Sequence, residues 1–319
     1  MKIAKRGLAV AFTLAFMFWL LEKQQWAALT TMLERLPGSA LGLAAAGFFL
    51  SYLLRAARVF DEFRHEIGSR FGACLRLVLL HNAAVNIVPF RGGEVAFPVL
   101  LGKFFGTPLT RALASLFWFR LQDALVVVVV AVMVWPGLPL LLRLAGVAAL
   151  ITFAWALPRW AHRPLRPSGK GRLARLRVAF AQSTRHARFG WLWTIANWSV
   201  KLAAQAWLLA ALLGTGMNTG VAGALGAELA AILPVQGVAG FGTYEAGAAA
   251  ALLPNGVMLA DGLRAALALH LFVIACSMCA GIIAALLPHV CPTAKPSESE
   301  PESKPQKSGI HEPISPPPR

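Results

Sequence analysis

The chain has 319 residues, 57% hydrophobic and only 14% charged, with a mean hydropathy of +0.63, which excludes an ordinary soluble domain. Uncharged runs at 36–54, 124–142 and 265–288 are each long enough to cross a hydrocarbon layer of about 30 Å, so most of the chain belongs in lipid. The net charge of +16 lies in the first 290 residues, and nine Lys or Arg without one acid fill 159–188 between apolar spans, a placement that fits a cytoplasmic loop and not a nucleic-acid partner.

In chain order, Lys2, Lys5 and Arg6 precede the apolar run 7–21, which resembles a secretory signal; the polar boundary Glu22-Lys23-Gln24-Gln25 favours a retained first span. A second span at about 40–54 returns to the inner face, where Arg55, Arg58, Arg64, Arg70 and Arg76 follow. The next apolar piece, 77–88, would be about 18 Å long as a helix. It ends in Pro89-Phe90-Arg91-Gly92-Gly93-Glu94 and is followed by a second short piece at 95–105, the pattern of a re-entrant hairpin of two half-helices. Spans at about 109–134 and 140–157 lead to the basic loop. From there 191–213 runs outward, and two more short pieces, 221–233 and 244–253, flank Pro234-Val235-Gln236-Gly237-Val238-Ala239-Gly240-Phe241-Gly242-Thr243. A last span at about 263–287 runs inward.

The expected fold is an all-α polytopic membrane protein with about six transmembrane helices and two re-entrant half-helix hairpins. A transmembrane domain would occupy 1–290, and 291–319, rich in Pro, Ser, Glu and Lys, would be a disordered cytoplasmic tail. Both termini then face the cytoplasm. The halves begin on opposite sides and share Ile87-Val88-Pro89 with Ile232-Leu233-Pro234, each followed by glycines and then Glu94 or Glu245. That is the pattern of an inverted repeat, in which paired broken helices mark a transporter's central site. Chance similarity between Ala- and Leu-rich helices is the competing reading.

Ionisable groups at membrane depth must be paired, hydrated or useful. Three clusters qualify: Arg91 and Glu94 with His81, Asn82 and Asn86; Arg120 with Asp123, one turn apart; and Glu245 with Gln236. Glu94 and Glu245 each stand at the start of a half-helix, so capping competes with ligand or proton binding. Arg120 and Asp123 are either a structural ion pair or opposite charges offered to a cavity. Lys201, Gln205 and Glu228 read as packing or snorkelling residues, and His270 as a hydrogen-bonded interior residue. Gly92, Gly93, Gly237, Gly240 and Gly242 let the backbone turn sharply and approach a ligand, and half-helix amino termini favour an anion such as a phosphate. Cys276 and Cys279 have C-x-x-C spacing inside an apolar helix with no second pair, so no metal and no cofactor is expected.

The ordered set His81-Asn82-Ala83-Ala84-Val85-Asn86-Ile87-Val88-Pro89-Phe90-Arg91-Gly92-Gly93-Glu94, Arg120-Leu121-Gln122-Asp123 and Leu233-Pro234-Val235-Gln236-Gly237-Val238-Ala239-Gly240-Phe241-Gly242-Thr243-Tyr244-Glu245 resembles the lysylphosphatidylglycerol synthase transmembrane-region family, also called flippase-like. The resemblance implies a bacterial inner-membrane protein of the lipid-flippase type, acting on aminoacylated phospholipids, hopanoids or polyprenyl-linked sugars. Two departures matter. The family often has Glu before the Arg of the middle motif, where this chain has Phe119, and nothing resembling the soluble aminoacyl-transferase domain follows residue 290. Lysyl transfer is therefore not expected. The sequence points to a non-enzymatic transporter of a phospholipid or polyprenyl- or hopanoid-type substrate, with membrane lipids carrying an anionic or lipid-linked phosphate as partners. A membrane-embedded lipid-modifying enzyme and a non-transporting scaffold of a lipid-biosynthesis complex are the alternatives. Arg91 and Arg120 are expected to line one cavity, and at least one of Glu94 and Glu245 to couple movement to a proton.

Overall fold

The computed structural model describes residues 14, 18, 23–88, 92–135, 137–163, 177, 178, 180, 181, 184, 187–232 and 237–286, and no strand occurs among them. The chain divides into a unit Met1–Pro288 and a unit His289–Arg319. The second, with the tail anticipated from 291, lies outside the described residues, as do both termini and most of the expected first span.

Ten helices carry the architecture of the described residues: α1 (Lys23–Glu34), α2 (Gly38–Glu62), α3 (Phe71–Ile87), α4 (Ala96–Phe105), α5 (Leu109–Val134), α6 (Leu140–His162), α7 (Gly190–Leu213), α8 (Met217–Ile232), α9 (Thr243–Leu252) and α10 (Leu259–Leu286). Helices α2, α5, α6 and α10 are long and apolar enough to cross a membrane, and α7 and α8 together are too, with the 118° bend of a broken span or a re-entrant turn between them. Proline sets three of the starts. Pro37, Pro108 and Pro139 occupy the N-cap positions of α2, α5 and α6 with φ between −67° and −57°, where the missing N–H costs no helical hydrogen bond. Helix α7 ends on Gly214, whose left-handed φ of 62° closes its C-terminus and begins the bend into α8.

Helix α2 differs from the expected second span. It runs past Leu54 to Glu62, so Arg55 and Arg58 continue a membrane helix instead of leaving it; Arg58 is only 3% exposed. No proline or glycine interrupts 48–62, and the helix has no reason to stop at the first arginine.

The two hairpins are α3 with α4, joined through the 3-10 turn Gly92–Val95, and α8 with α9. Both close through backbone contact. A Cβ on Gly93 would lie 2.2 Å from the Ala84 carbonyl oxygen, and Gly226 and Gly247 face each other so closely that a Cβ on either would lie within 2.6 Å of the other's carbonyl oxygen. Small residues that let helix backbones meet are the membrane solution to packing without a hydrophobic drive between helices.

The packing pairs follow one scheme. Helix α2 packs on α7, α3 on α10 and α8 on α5; within the halves α2 meets α3 as α7 meets α8, α3 meets α4 as α8 meets α9, and α4 meets α5 as α9 meets α10. These pairs are unchanged when α2, α3, α4 and α5 are exchanged for α7, α8, α9 and α10, as a two-fold-related pair of repeats requires, while α7 and α8 also pack on α10 more closely than α2 and α3 pack on α5. Helices α1 and α6 stand outside it. Half of the α10 apolar window is buried and none of the α6 window, so α10 is central and α6 faces lipid.

Candidate functional site

A cavity of about 470 Å³ opens where the halves meet, within the range of about 300–1,000 Å³ usual for small-molecule sites. Its wall is polar on several helices at once. From α2, Ser51, Tyr52 and Arg55 reach it at i, i+1 and i+4; α3 supplies Asn82 and Asn86, and α5 supplies Arg120 and Asp123. The second half contributes Trp198 and Lys201 from α7, Glu228 from α8, Tyr244 from α9 and His270 from α10.

Each carboxylate near the cavity is held by a base. Arg120 Nη2 is 2.7 Å from Glu94 Oε1, and Nη2 and Nε donate to Oε2 at 2.8 and 3.1 Å, so two guanidinium nitrogens hold the carboxylate and fix the guanidinium plane. Within α5 the Arg120 to Asp123 distance is 3.5 Å, because each has a closer partner elsewhere. Asp123 Oδ1 accepts from Arg58 Nη1 at 2.6 Å and from Trp198 Nε1 at 3.0 Å. Arg58 also donates to the Phe119 carbonyl and Gln122 Oε1, both at 2.9 Å, with its guanidinium 4.3 Å above the Phe119 ring. The position where the family often has Glu thus holds an aromatic face for Arg58.

In the second half, Lys201 Nζ is 2.7 Å from Glu228 Oε1, which also accepts from Gln205 at 2.6 Å. Lys201, Gln205 and Glu228, read from sequence as packing or snorkelling residues, form one network reaching Tyr244 Oη through Gln205 at 3.1 Å. Glu245 is fully buried and does two things. Its Oε2 accepts the Gly242 amide at 2.7 Å, which caps α9, and its Oε1 lies 2.7 Å from His270 Nδ1. With Glu245 ionised, the ring hydrogen sits on Nδ1, and the ring forms part of the cavity wall. The His270 ring lies between Phe241 and Tyr244, with centroids 4.7 and 4.5 Å away.

Arg55 is the exception among these bases. Its Nη1 donates to Asn82 Oδ1 at 2.7 Å, a neutral amide, and among the described residues it makes no ion pair.

Of the residues singled out by sequence, Asn82, Asn86, Glu94, Arg120, Asp123 and Gly240 line the cavity. Glu245 sits behind His270. Gly242 (φ 84°) and Gly240 (φ 88°) make the turn into α9 in a backbone region that L side chains rarely adopt. Gly93 is buried against α3, whereas Gly92 is exposed beside Val88. Arg91 and Gln236 lie outside the described residues. Arg55, Lys201, Glu228 and His270 are the wall residues sequence reasoning undervalued. No group of three or more His, Cys, Asp or Glu among the described residues is arranged to hold a metal ion.

Full-length and broken apolar helices around a cavity lined by paired and unpaired charges define a multi-pass α-helical membrane protein with an interior polar site. The chain belongs to the family described as lysylphosphatidylglycerol synthase TM region, which matches residues 7–281 and whose members are membrane proteins related to lipid handling. A comparison with curated proteins gives no match.

Proposed function

We propose that the protein moves a lipid with an anionic, phosphate-bearing headgroup between leaflets without changing it chemically. The observation that carries this reading is Arg55: a cation on the cavity wall whose partner is an amide, while Arg58, Arg120 and Lys201 are each matched by a carboxylate. A desolvated cation without a counter-charge is costly, and an incoming phosphate oxygen supplies one. Lipid is favoured over a soluble anion because the cavity is open and its wall includes the apolar side chains Val88, Phe117 and Ile232, which are 41%, 61% and 38% exposed. A headgroup can enter between them while its apolar chains stay in the bilayer. In this reading the substrate is a phospholipid or a polyprenyl- or hopanoid-type lipid-linked molecule. The membrane is the bacterial inner membrane, with both termini and the loop 159–188 in the cytoplasm.

The Glu245–His270 pair also resembles an oriented general base and so favours a lipid-modifying enzyme as second reading. The two aliphatic hydroxyls of the wall are otherwise engaged: Ser51 donates to Asn197 and Thr243 to the Gly240 carbonyl.

Purified protein in phosphatidylcholine vesicles, with a head-labelled or chain-labelled fluorescent phosphatidylglycerol and a membrane-impermeant quencher, tests both. Hydrogen bonds to a charged group contribute about 1.5–3 kcal/mol, so Arg55→Gln should slow loss of leaflet protection by about 10- to 100-fold. An unchanged rate in Arg55→Gln overturns the proposal, and a change in lipid mass after incubation supports the enzyme instead.

A further inference from the structure

The exchange of halves relates more than helices. In the first half the hairpin glutamate Glu94 is held by Arg120 on the following span, and in the second the hairpin glutamate Glu245 is held by His270 on the following span. The base is permanently charged in one half and titratable in the other. Among the described residues in and just behind the cavity wall, Arg55, Arg58, Arg120 and Lys201 balance Glu94, Asp123, Glu228 and Glu245 one for one. With His270 neutral the sum over these eight is zero, so a phosphodiester paired with Arg55 leaves the Glu245 carboxylate, held by a neutral ring, without a cation in a poorly screened space.

His270 can answer that charge. Its Nδ1 is committed to Glu245, and no hydrogen-bond partner for its Nε2 occurs among the described residues although the ring forms part of the cavity wall. Neutral, Nε2 presents a lone pair that repels an anion; protonated, it presents a donor. Resting on the lipid-transport reading above, we propose that His270 takes up one proton from water with each anionic headgroup that enters the cavity and gives it back when the headgroup leaves. The proton goes to Nε2, the hydrogen on Nδ1 stays with Glu245, and no bond in the lipid changes.

The groups that face His270 from its neighbours leave it this role. On α9 these are Glu245, already an acceptor, and Tyr244, held by Gln205. Glu228 on α8 and Lys201 on α7 neutralise each other. From α2 come Tyr52 and Arg55, and from α3 only the amides Asn82 and Asn86 turn to the cavity. Among the described residues, His81 on α3 is the other buried histidine, 3.9 Å from Glu94 and away from the wall.

The test uses the full chain in detergent and a short-chain phosphatidylglycerol, which keeps one negative charge over about pH 5 to 8, the window in which histidine titrates. Calorimetry in buffers of different ionisation heat counts protons taken up on binding, and needs no variant. The expected results are uptake approaching one proton at the upper end and a Kd that rises toward about tenfold per pH unit there. His270→Gln should abolish the slope, whereas His81→Gln should retain it. A His270 that is merely structural would weaken binding in His270→Gln equally at every pH, and that result overturns the proposal. So do binding without proton uptake, a slope that survives His270→Gln, and a slope lost in His81→Gln. In each of these cases lipid binding itself stands; absence of binding at every pH overturns the transport reading, and this inference with it.

Discussion

Replacing Arg58 with Met removes one end of a buried ion pair while keeping the bulk of the side chain. Arg58 and Asp123 are 4% and 10% exposed in their side chains and 2.6 Å apart. Removing one partner of a buried pair costs about 3–5 kcal/mol because a charge is left behind. Here Asp123 keeps Trp198 at 3.0 Å and Arg120 at 3.5 Å, so the loss should fall near the lower bound, about 3 kcal/mol, which includes the orphaned Gln122 Oε1. On the scale of large soluble domains that is a fall of about 6–12 °C in Tm. A thiol-reactive dye reads the transition at Cys74, which is fully buried, in a background where the exposed Cys279 is Ser. Arg58→Met and Asp123→Asn together should cost less than the sum of the two, with a coupling of about 1–3 kcal/mol. A loss below about 1 kcal/mol in Arg58→Met, or two effects that simply add, would refute the assignment of this pair as the anchor between α2 and α5.

Glu94→Gln removes the carboxylate that occupies Arg120, so anionic lipid should bind several-fold more tightly and leave more slowly. The concentration dependence of transport checks this, and both parameters unchanged would mean that Arg120 does not face the substrate. Gly247→Leu puts a side chain where a Cβ already lies 2.5 Å from Ala230 Cβ and 2.6 Å from the Gly226 carbonyl oxygen. Overpacking of this kind costs about 1–3 kcal/mol or more, so monodispersity and Tm should both fall, whereas Gly42→Ala, with open space around it and helical backbone, should change packing little. For topology, a cysteine at the exposed Arg163 in a background without native cysteines should react with an impermeant reagent in inverted vesicles and not in right-side-out ones; the reverse result inverts the orientation.

Hydropathy made the spans legible because length and lack of charge suffice for that inference, and Pro and Gly at 89–93 and 234–242 marked both hairpins. Glu94, Arg120 and Asp123 were legible for a related reason: a charge in an apolar run has few innocent explanations. Arg55 and Arg58 were misread because the rule that places arginines at the inner face is blind to an arginine whose counter-charge lies 65 residues away. Nothing local distinguishes the two cases, apart from the absence of any helix breaker before Glu62. His270 was undervalued in the same way. A single imidazole in a long apolar helix looks bland until the fold brings Glu245, 25 residues earlier, against it.

Those sequence separations have a consequence for how the chain is made. Glu94 and Arg120 are 26 residues apart and Glu245 and His270 are 25 apart, so each of these pairs can close as soon as the next helix leaves the ribosome. Arg58 must wait 65 residues for Asp123, through the synthesis of an entire hairpin. An arginine adds about 2.5–3.5 kcal/mol to the free energy of insertion at the centre of a nascent helix and less toward an end, where Arg58 stands four residues before Glu62. Until α5 arrives, α2 therefore carries that penalty on the strength of its own apolar face, 38–54, and the translocation machinery must hold the helix at its lateral exit or tolerate a shallow, tilted intermediate.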